Sequence, residues 1–504
     1  MNTTIDLKWR ENVMNTNKES HRKKPSSWGR GLAAGGAVLV SSIGSAALAN
    51  PTLTTLHAFC SSTNSPPGTV PGCADGSYPD GKLHHDRFGN IYGTATLGGL
   101  ASGVNASSGN GLVFKISPQG TYSVVYSFQG GTDGSVPLGG VVGDPAGNLY
   151  GVAGEGGTNG GELGTQGNGV VYKISSNGTQ SVLYSFCQNQ NLPFPGYPNC
   201  SDGSYPYAKL HIDQNGNLYG TTIFGGLETG VGGPPPDSTS AQTGFGNGVV
   251  FELSPTGRGN YSYRLLYQFT GITNVDGANP WAGLIADAAG NLYGTTYGGG
   301  APGISNVGNG VVYQLSPGPW GHYNYKVLYQ FTGYADGSSP VAPLRFDAYG
   351  NLYGATTGGG DAYGLTGNGV VYKLSPQGRE SVLHTFTNGS DGGSPSAGLL
   401  EDCNGDLYGA TNSGGNVSGI CATANAAGGC GVVYKISRSG AYSVLYTFTG
   451  GNDGGSPNAQ LIADSSGNLY GVAGLGGNPG GPEGSAGNGT VYKLSGTGFN
   501  ASCY

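Results

Sequence analysis

One cassette recurs seven times along these 504 residues, and no other feature restricts the fold as strongly. Each copy reads Gly-Asn-Leu-Tyr-Gly, a glycine-rich gap, Val-Val-Tyr-Lys, Val-Leu-Tyr-x-Phe and then Asp-Gly-x-x-Pro, with Ile91 and Asp406 replacing the usual Leu and Asn in single copies. The box tyrosines Tyr92, Tyr150, Tyr219, Tyr293, Tyr353, Tyr408 and Tyr470 are 58, 69, 74, 60, 55 and 62 residues apart. A period that long, made of short apolar runs and turns, predicts the blades of a propeller.

The fifth copy shows the plan of a blade, with strand-like runs at 343–347, 351–356, 369–375 and 380–386. Asp-Ala-Tyr-Gly-Asn joins the first two, a connection suited to a tight hairpin, so successive strands run antiparallel. Runs such as Val-Val-Tyr-Lys-Leu are apolar on both faces, as in sheets covered on both sides. The chain ends add a topological clue. The last copy stops after Val491-Tyr492-Lys493-Leu494 without its Val-Leu-Tyr-x-Phe strand, and the run 54–59, Thr-Thr-Leu-His-Ala-Phe, supplies the equivalent strand at the other end. The expectation is therefore an all-β, seven-bladed β-propeller of four antiparallel strands per blade, closed by the N-terminal strand completing the last blade, which removes exposed sheet edges. The rival, a β-helix, has coils of roughly 20 to 30 residues and gains nothing from such an offset.

The combination Gly-Asn-Leu-Tyr-Gly, Gly-Asn-Gly-Val-Val-Tyr-Lys-Leu-Ser-Pro and Asp-Gly-x-x-Pro resembles the GloVer tandem repeat of bacterial secreted or surface proteins, over residues 53–495. The resemblance implies an exported repeat protein whose biochemical role is generally unassigned. No hydrophobic tail or sorting signal is seen after Ser495, which favours release over attachment.

Residues 1–49 read as an export signal with a long basic leader: His21-Arg22-Lys23-Lys24 and Arg30, an apolar stretch from Leu32 to Leu48, and Ala47-Leu48-Ala49 before the expected cleavage. An uncleaved anchor is the alternative, weakened by the Gly and Ser that dilute the stretch. Residues 50–504 then form a single domain with 14 basic and 25 acidic side chains, net −11. Such a surface does not suit nucleic acid or anionic lipid. The expectation is a secreted, extracellular monomer with no membrane span after cleavage.

Cysteine spacing agrees with an oxidising compartment. Cys60 and Cys73 are 13 residues apart in the connection before Asp75, and Cys187 and Cys200 are 13 apart in the corresponding connection before Asp202. Two equivalent disulfides are expected. Cys421 and Cys430 would close the glycine-rich loop of blade six, and Cys403 with Cys503 remains by elimination. No Cys-x-x-Cys or close Cys/His cluster points to zinc, and no metal or other cofactor is expected.

Two periodic Asp series occur. Asp75, Asp133, Asp202, Asp276, Asp336, Asp391 and Asp453 open Asp-Gly-x-x-Pro; one carboxylate per repeat is too few for a calcium cage, and a capped turn before an extended X-Pro step is the simpler reading. Asp86, Asp144, Asp213, Asp287, Asp347, Asp402 and Asp464 end the first strands and would accept turn amides. Function is better sought where the repeats disagree. Two residues before each Asp of the second series stand His84, Val142, His211, Ile285, Arg345, Leu400 and Ile462. Lys82 and Lys209 precede His84 and His211 on the same strand faces. If first strands line the axis, Lys82, His84, Lys209, His211 and Arg345 would form a basic site for a carboxylate or acidic sugar. The bland alternative is solvation, or pairing with acids such as Glu401. The long second-to-third and fourth-to-first connections share one face of the ring, a second candidate surface. Tyr78, Tyr205, Trp281 and Trp320 could stack on sugars, or fill space between blades.

No Gly-x-Ser-x-Gly elbow, His-Glu-x-x-His or phosphate loop is present, which weighs against an enzyme. The leading expectation is a released extracellular binding or interaction protein for glycans or another surface polymer. A polysaccharide-active hydrolase or lyase and a structural matrix component stay open as alternatives.

Overall fold

In the computed structural model the described residues are 50–61, 73–100, 108–158, 167–188, 190–194, 197–226, 246–271, 275–301, 308–362, 367–422, 428–477 and 487–503. The export-signal reading of 1–49 lies outside them. Seven antiparallel sheets form the blades, beside a two-stranded ribbon, Gln190–Phe194 with Tyr197–Cys200, in the connection between blades two and three. Blade five runs Arg345–Phe346, Leu352–Thr356, Val370–Leu374 and Glu380–Thr385, in sheet order, as the sequence predicts. Blade seven takes Ile462–Ala463, Leu469–Leu475 and Thr490–Ser495 from the end of the chain and Thr52–Ala58 from its start, paired from Thr52↔Ser495 to Ala58↔Thr490. Phe59 N–H then donates to Gly489 O at 3.1 Å, the bond that Phe128 makes to Gly111 and Phe186 to Gly169 in other blades. The N-terminal strand thus behaves as an ordinary fourth strand.

Each part of the cassette has a mechanical role. The turn after the first strand is organised by its Asp: in blade five Asp347 Oδ1 accepts the N–H groups of Tyr349 and Asn351, both at 2.9 Å, while Oδ2 accepts Asn351 Nδ2 at 2.6 Å and the Tyr353 hydroxyl at 3.1 Å. Gly350, at φ +77°, supplies the left-handed residue of this turn. Burial works to raise the Asp347 pKa, but the Asn351, Tyr349 and Tyr353 bonds outweigh it and hold the carboxyl below its ordinary value. The last glycine of the box is fixed by packing. A Cβ on Gly354 would lie 2.4 Å from the hydroxyl of Tyr372, a fully buried third-strand ring, and Gly93 faces Phe114 in the same way. Five such tyrosines, Tyr172, Tyr313, Tyr372, Tyr434 and Tyr492, have hydroxyls without a partner among the described residues, which explains why Phe114 and Phe251 serve equally well.

Blades join through Asp-Gly-x-x-Pro, whose penultimate residue is not extended. Tyr78, Val136, Tyr205, Asn279, Ser339, Ser394 and Ser456 all have φ between 50 and 59°. The left-handed turn aims the N–H back at the preceding blade, as in Ser339 to Asn309 O at 2.9 Å and, across the ring closure, Tyr78 to Asn488 O at 2.8 Å. That bond is the physical reason the extended expectation fails. The Asp of the same segment caps the end of the preceding fourth strand: Asp453 Oδ2 accepts Thr449 N–H at 2.8 Å and the Tyr446 hydroxyl at 3.1 Å, while His57 and His384 take the tyrosine's place at Asp75 and Asp391. Next to this cap, a residue in the first half of the following fourth strand donates to the same Asp's carbonyl: Tyr122 to Asp75, Gln180 to Asp133, Tyr263 to Asp202 and Tyr442 to Asp391. Most of these rings also stack on the neighbouring blade, for example Tyr442 on His384 at 3.8 Å.

All four disulfides form as expected: Cys60–Cys73, Cys187–Cys200, Cys421–Cys430 and Cys403–Cys503. The last staples the C-terminal segment to blade six, where Cys403 N–H donates to Asn500 O at 3.0 Å and the Phe499 ring meets Tyr408. It encloses 100 residues, a closure worth about 4–5 kcal/mol in the chain-entropy model.

Blade five departs from the seam pattern, because Glu380 stands where five other blades have a donor and blade seven has Leu53. Burial, then the Asp336 carboxylate, push its pKa up to about 7, and its Oε1 is buried without a partner among the described residues. Asp336 and Tyr329 of blade four and Tyr372 of its own blade surround it. A folded-state pKa above the unfolded value means that this stability is complete below the unfolded pKa and is lost as pH rises towards 7. Glu380→Gln should match the wild type in denaturant midpoint near about pH 4 and exceed it at about pH 8 to 9; an equal difference at both would remove the seam from the explanation. Separately, Gly354→Ala should destabilise by about 1–3 kcal/mol through overpacking, whereas Tyr372→Phe should change stability by less than about 0.5 kcal/mol, both read from denaturant unfolding.

Candidate functional site

The two- or three-residue first strands line the axis, and side chains two residues apart point at it in successive levels. Charges on these strands bear on one another. Arg345 of blade five acts on Lys82 of blade one, and Lys209 of blade three acts on His84, while Lys82 acts in turn on Lys209. Lys209 Nζ donates to the Leu83 carbonyl oxygen of blade one at 3.1 Å, passing blade two. Glycine lets neighbouring first-strand segments approach closely. At the register of Lys82 and Lys209, blades two, four and six carry Gly140, Gly283 and Gly398. A Cβ on Gly140, itself at φ +71°, would lie 2.3 Å from the Lys82 carbonyl oxygen, and one on Gly283 would lie 2.7 Å from that of Lys209.

Among the described residues neither lysine ammonium has a carboxylate within ion-pair distance, whereas Arg345 Nε pairs with Glu401 Oε2 at 3.2 Å. Both lysines keep partial solvent exposure. Burial, followed by the charge of Arg345, brings the Lys82 pKa down to about 8; burial and then Lys82 hold Lys209 well below the ordinary lysine value. His84 falls to about 4, chiefly through burial with Lys209 second, and packs against Gly143 of the next blade. His211 is lowered by burial, with Asp213 opposing, and no coupling ties it to the lysines. Lys82, His84, Lys209 and Arg345 thus bear on one another, and His211 stands two residues beyond Lys209 on blade three.

One level towards the loop face, Asp80 accepts Asn458 Nδ2 at 2.6 Å and the Tyr207 hydroxyl at 3.2 Å, joining blades seven, one and three. Tyr207 leads to Trp281 at 5.0 Å between ring centroids, and Trp281 to Tyr297 at 5.7 Å, so a partly exposed aromatic run borders the axial opening. Sequence reasoning missed Asp80, Tyr207 and Asn458, although their position two residues before the lysine register was a usable signal. Of the four aromatic candidates, Trp281 is at the axial mouth. Tyr205 lies against Gly154 and Phe224, and Tyr78 borders Gly474, both as filling near the blade seams. Trp320 sits at a hairpin tip of blade four, 96% exposed and away from the axis.

Among the described residues no group of three His, Cys, Asp or Glu side chains is placed to hold a metal ion, and no helix is long and apolar enough to cross a membrane. Much of the long-loop face, including 227–245, lies outside the described residues.

No curated protein sequence matches the chain. Among solved structures it is similar to a puromycin-hydrolysing peptidase of Mycobacterium tuberculosis, at 11% identity and TM-score 0.46, over 83% of this chain and 51% of that one. It is also similar to a luciferin-regenerating enzyme, at 14% identity and TM-score 0.37, over 85% and 94% of the two chains. A third is the PQQ-bound aldose sugar dehydrogenase of Streptomyces coelicolor, at 11% identity and TM-score 0.38, over 71% and 93%. The chemistry of those proteins is not transferred to this chain. The sequence itself matches one family model in three overlapping stretches, residues 69–230, 163–422 and 366–502, and the chain belongs to the Gloeobacter/Verrucomicrobia repeat family.

Proposed function

We propose that the protein is an exported binding propeller that takes an anionic ligand, the carboxylate of an acidic glycan or related surface polymer, at the axis. The observation that carries this reading is the pair Lys82 and Lys209, held together without a carboxylate partner among the described residues. Two cations in a confined place repel each other, and an anion between them would recover that energy and some of the lost solvation. The aromatic run Tyr207, Trp281 and Tyr297 at the mouth offers faces on which sugar rings could stack. Four disulfides support an oxidising compartment outside the cytosol. The net acidic chain argues against a polyanion held over its whole surface, so recognition would be local, one carboxylate at a time.

The disulfide-intact protein should bind uronate-containing oligosaccharides on a glycan array and by calorimetry, with affinity reduced by Lys82→Met. The ammonium of Lys82 is charged below about pH 8, so affinity should fall as pH rises through that value, by up to about tenfold per unit. Affinity indifferent both to Lys82→Met and to pH would place the ligand elsewhere on the ring.

A further inference from the structure

We propose that Lys209 is a nucleophile that forms an imine with a small carbonyl compound bearing a carboxylate, such as an oxo acid or the open-chain form of an acidic sugar. The inference rests on the anion-binding reading above and names its substrate class.

Three features of the axis point to it. First, Lys209 Nζ is positioned rather than free: its hydrogen bond to the Leu83 carbonyl oxygen, 3.1 Å away on another blade, fixes the amine. Second, its surroundings disfavour the ammonium form. No carboxylate lies within ion-pair distance among the described residues, and the Lys82 cation is its electrostatic neighbour. A buried amine beside another cation is an arrangement that activates lysine towards carbonyl carbon. Third, the neighbouring groups divide the remaining tasks. Lys82, whose pKa near 8 leaves it largely protonated at neutral pH, and Arg345 would attract the carboxylate end, while His84 stays neutral beside them. The partial exposure of both lysines leaves a route for a small molecule.

The step balances without an external redox partner. The Lys209 nitrogen lone pair adds to the carbonyl carbon, and the carbonyl π pair moves to oxygen, which becomes the hydroxyl of a carbinolamine by taking one of the two protons of the attacking nitrogen. The C–O bond then breaks as the hydroxyl leaves with a second proton from the Lys82 ammonium. The nitrogen lone pair forms the C=N bond, and the nitrogen's last proton returns to Lys82. One amine and one carbonyl give one imine and one water.

The test uses the intact protein, glyoxylate as the probe, and cyanoborohydride to trap the imine as a stable secondary amine, followed by peptide mass spectrometry. Lys326, exposed on the fourth strand of blade four, is the internal comparison. Lys209 should label more than about tenfold faster than Lys326 near neutral pH, because an ordinary lysine is almost entirely protonated there. Gluconate, a carboxylate with no carbonyl, should slow labelling of Lys209 and leave Lys326 unchanged. Equal rates at Lys209 and Lys326 would overturn the imine inference, and calorimetric binding of gluconate in the same sample would then leave the anion reading standing. Fast labelling of Lys209 that gluconate neither slows nor competes with would support the nucleophile and overturn the anion reading. Lys209→Arg, which cannot form an imine, should abolish the axial adduct while labelling of Lys326 is unchanged.

Discussion

The ring depends on a backbone hydrogen bond repeated at every seam, from the left-handed residue before each Asp-Gly-x-x-Pro proline to the preceding blade. Six of the acceptors are the Asn of a Gly-Asn-Gly, and Ser456 uses Cys430 instead. A non-glycine residue in this region costs of order 1 kcal/mol or more and persists only where its surroundings fix it. Here the following proline and the Asp-capped turn before it leave the chain little choice. Because Tyr78 makes the same bond to Asn488, closure between the two ends of the chain uses the chemistry of any other seam. The seventh interface needs no special device, although the Cys403–Cys503 bridge adds one close by.

This rigidity separates residues that repeat from residues that do not. Both Asp series, the box Tyr and Gly, and the third-strand aromatics are occupied with turns, caps and packing, and a carboxylate already accepting three or four hydrogen bonds has little left for a ligand. The first strands are freer to vary. They are only two or three residues long, and their axial side chains need not pack against a neighbouring blade. Adjacent first-strand segments approach closely there, and Gly140 and Gly283 leave room for the backbone of Lys82 and Lys209.

Much of this was legible in sequence, for identifiable reasons. The seven cassettes, the displaced fourth strand at 54–59 and the paired cysteine spacings are each visible as pattern, and the structure follows them closely. The conformation before proline was not legible, because Tyr, Val, Asn and Ser all occupy that position and none of those types announces a positive φ. The axial residues were visible as outliers from an otherwise apolar position. Their relative placement was hidden, since it depends on which blades face one another across the ring.

The energetics of the axis argue against an incidental arrangement. Confining two lysines beside an arginine works against folding, because each cation gives up solvation and repels the others. Other blades fill the same register with Gly, Pro or Gln, so the fold does not require the charges. The one intramolecular ion pair nearby, Arg345 with Glu401, neutralises only the cation farthest along the strand. What remains is a pair of amines that hold their protons less tightly than two free lysines would. Groups perturbed by burial and a specific neighbour mark functional positions more often than structural ones. In a scaffold whose periodic residues are already occupied, these aperiodic lysines are where chemistry has room to occur.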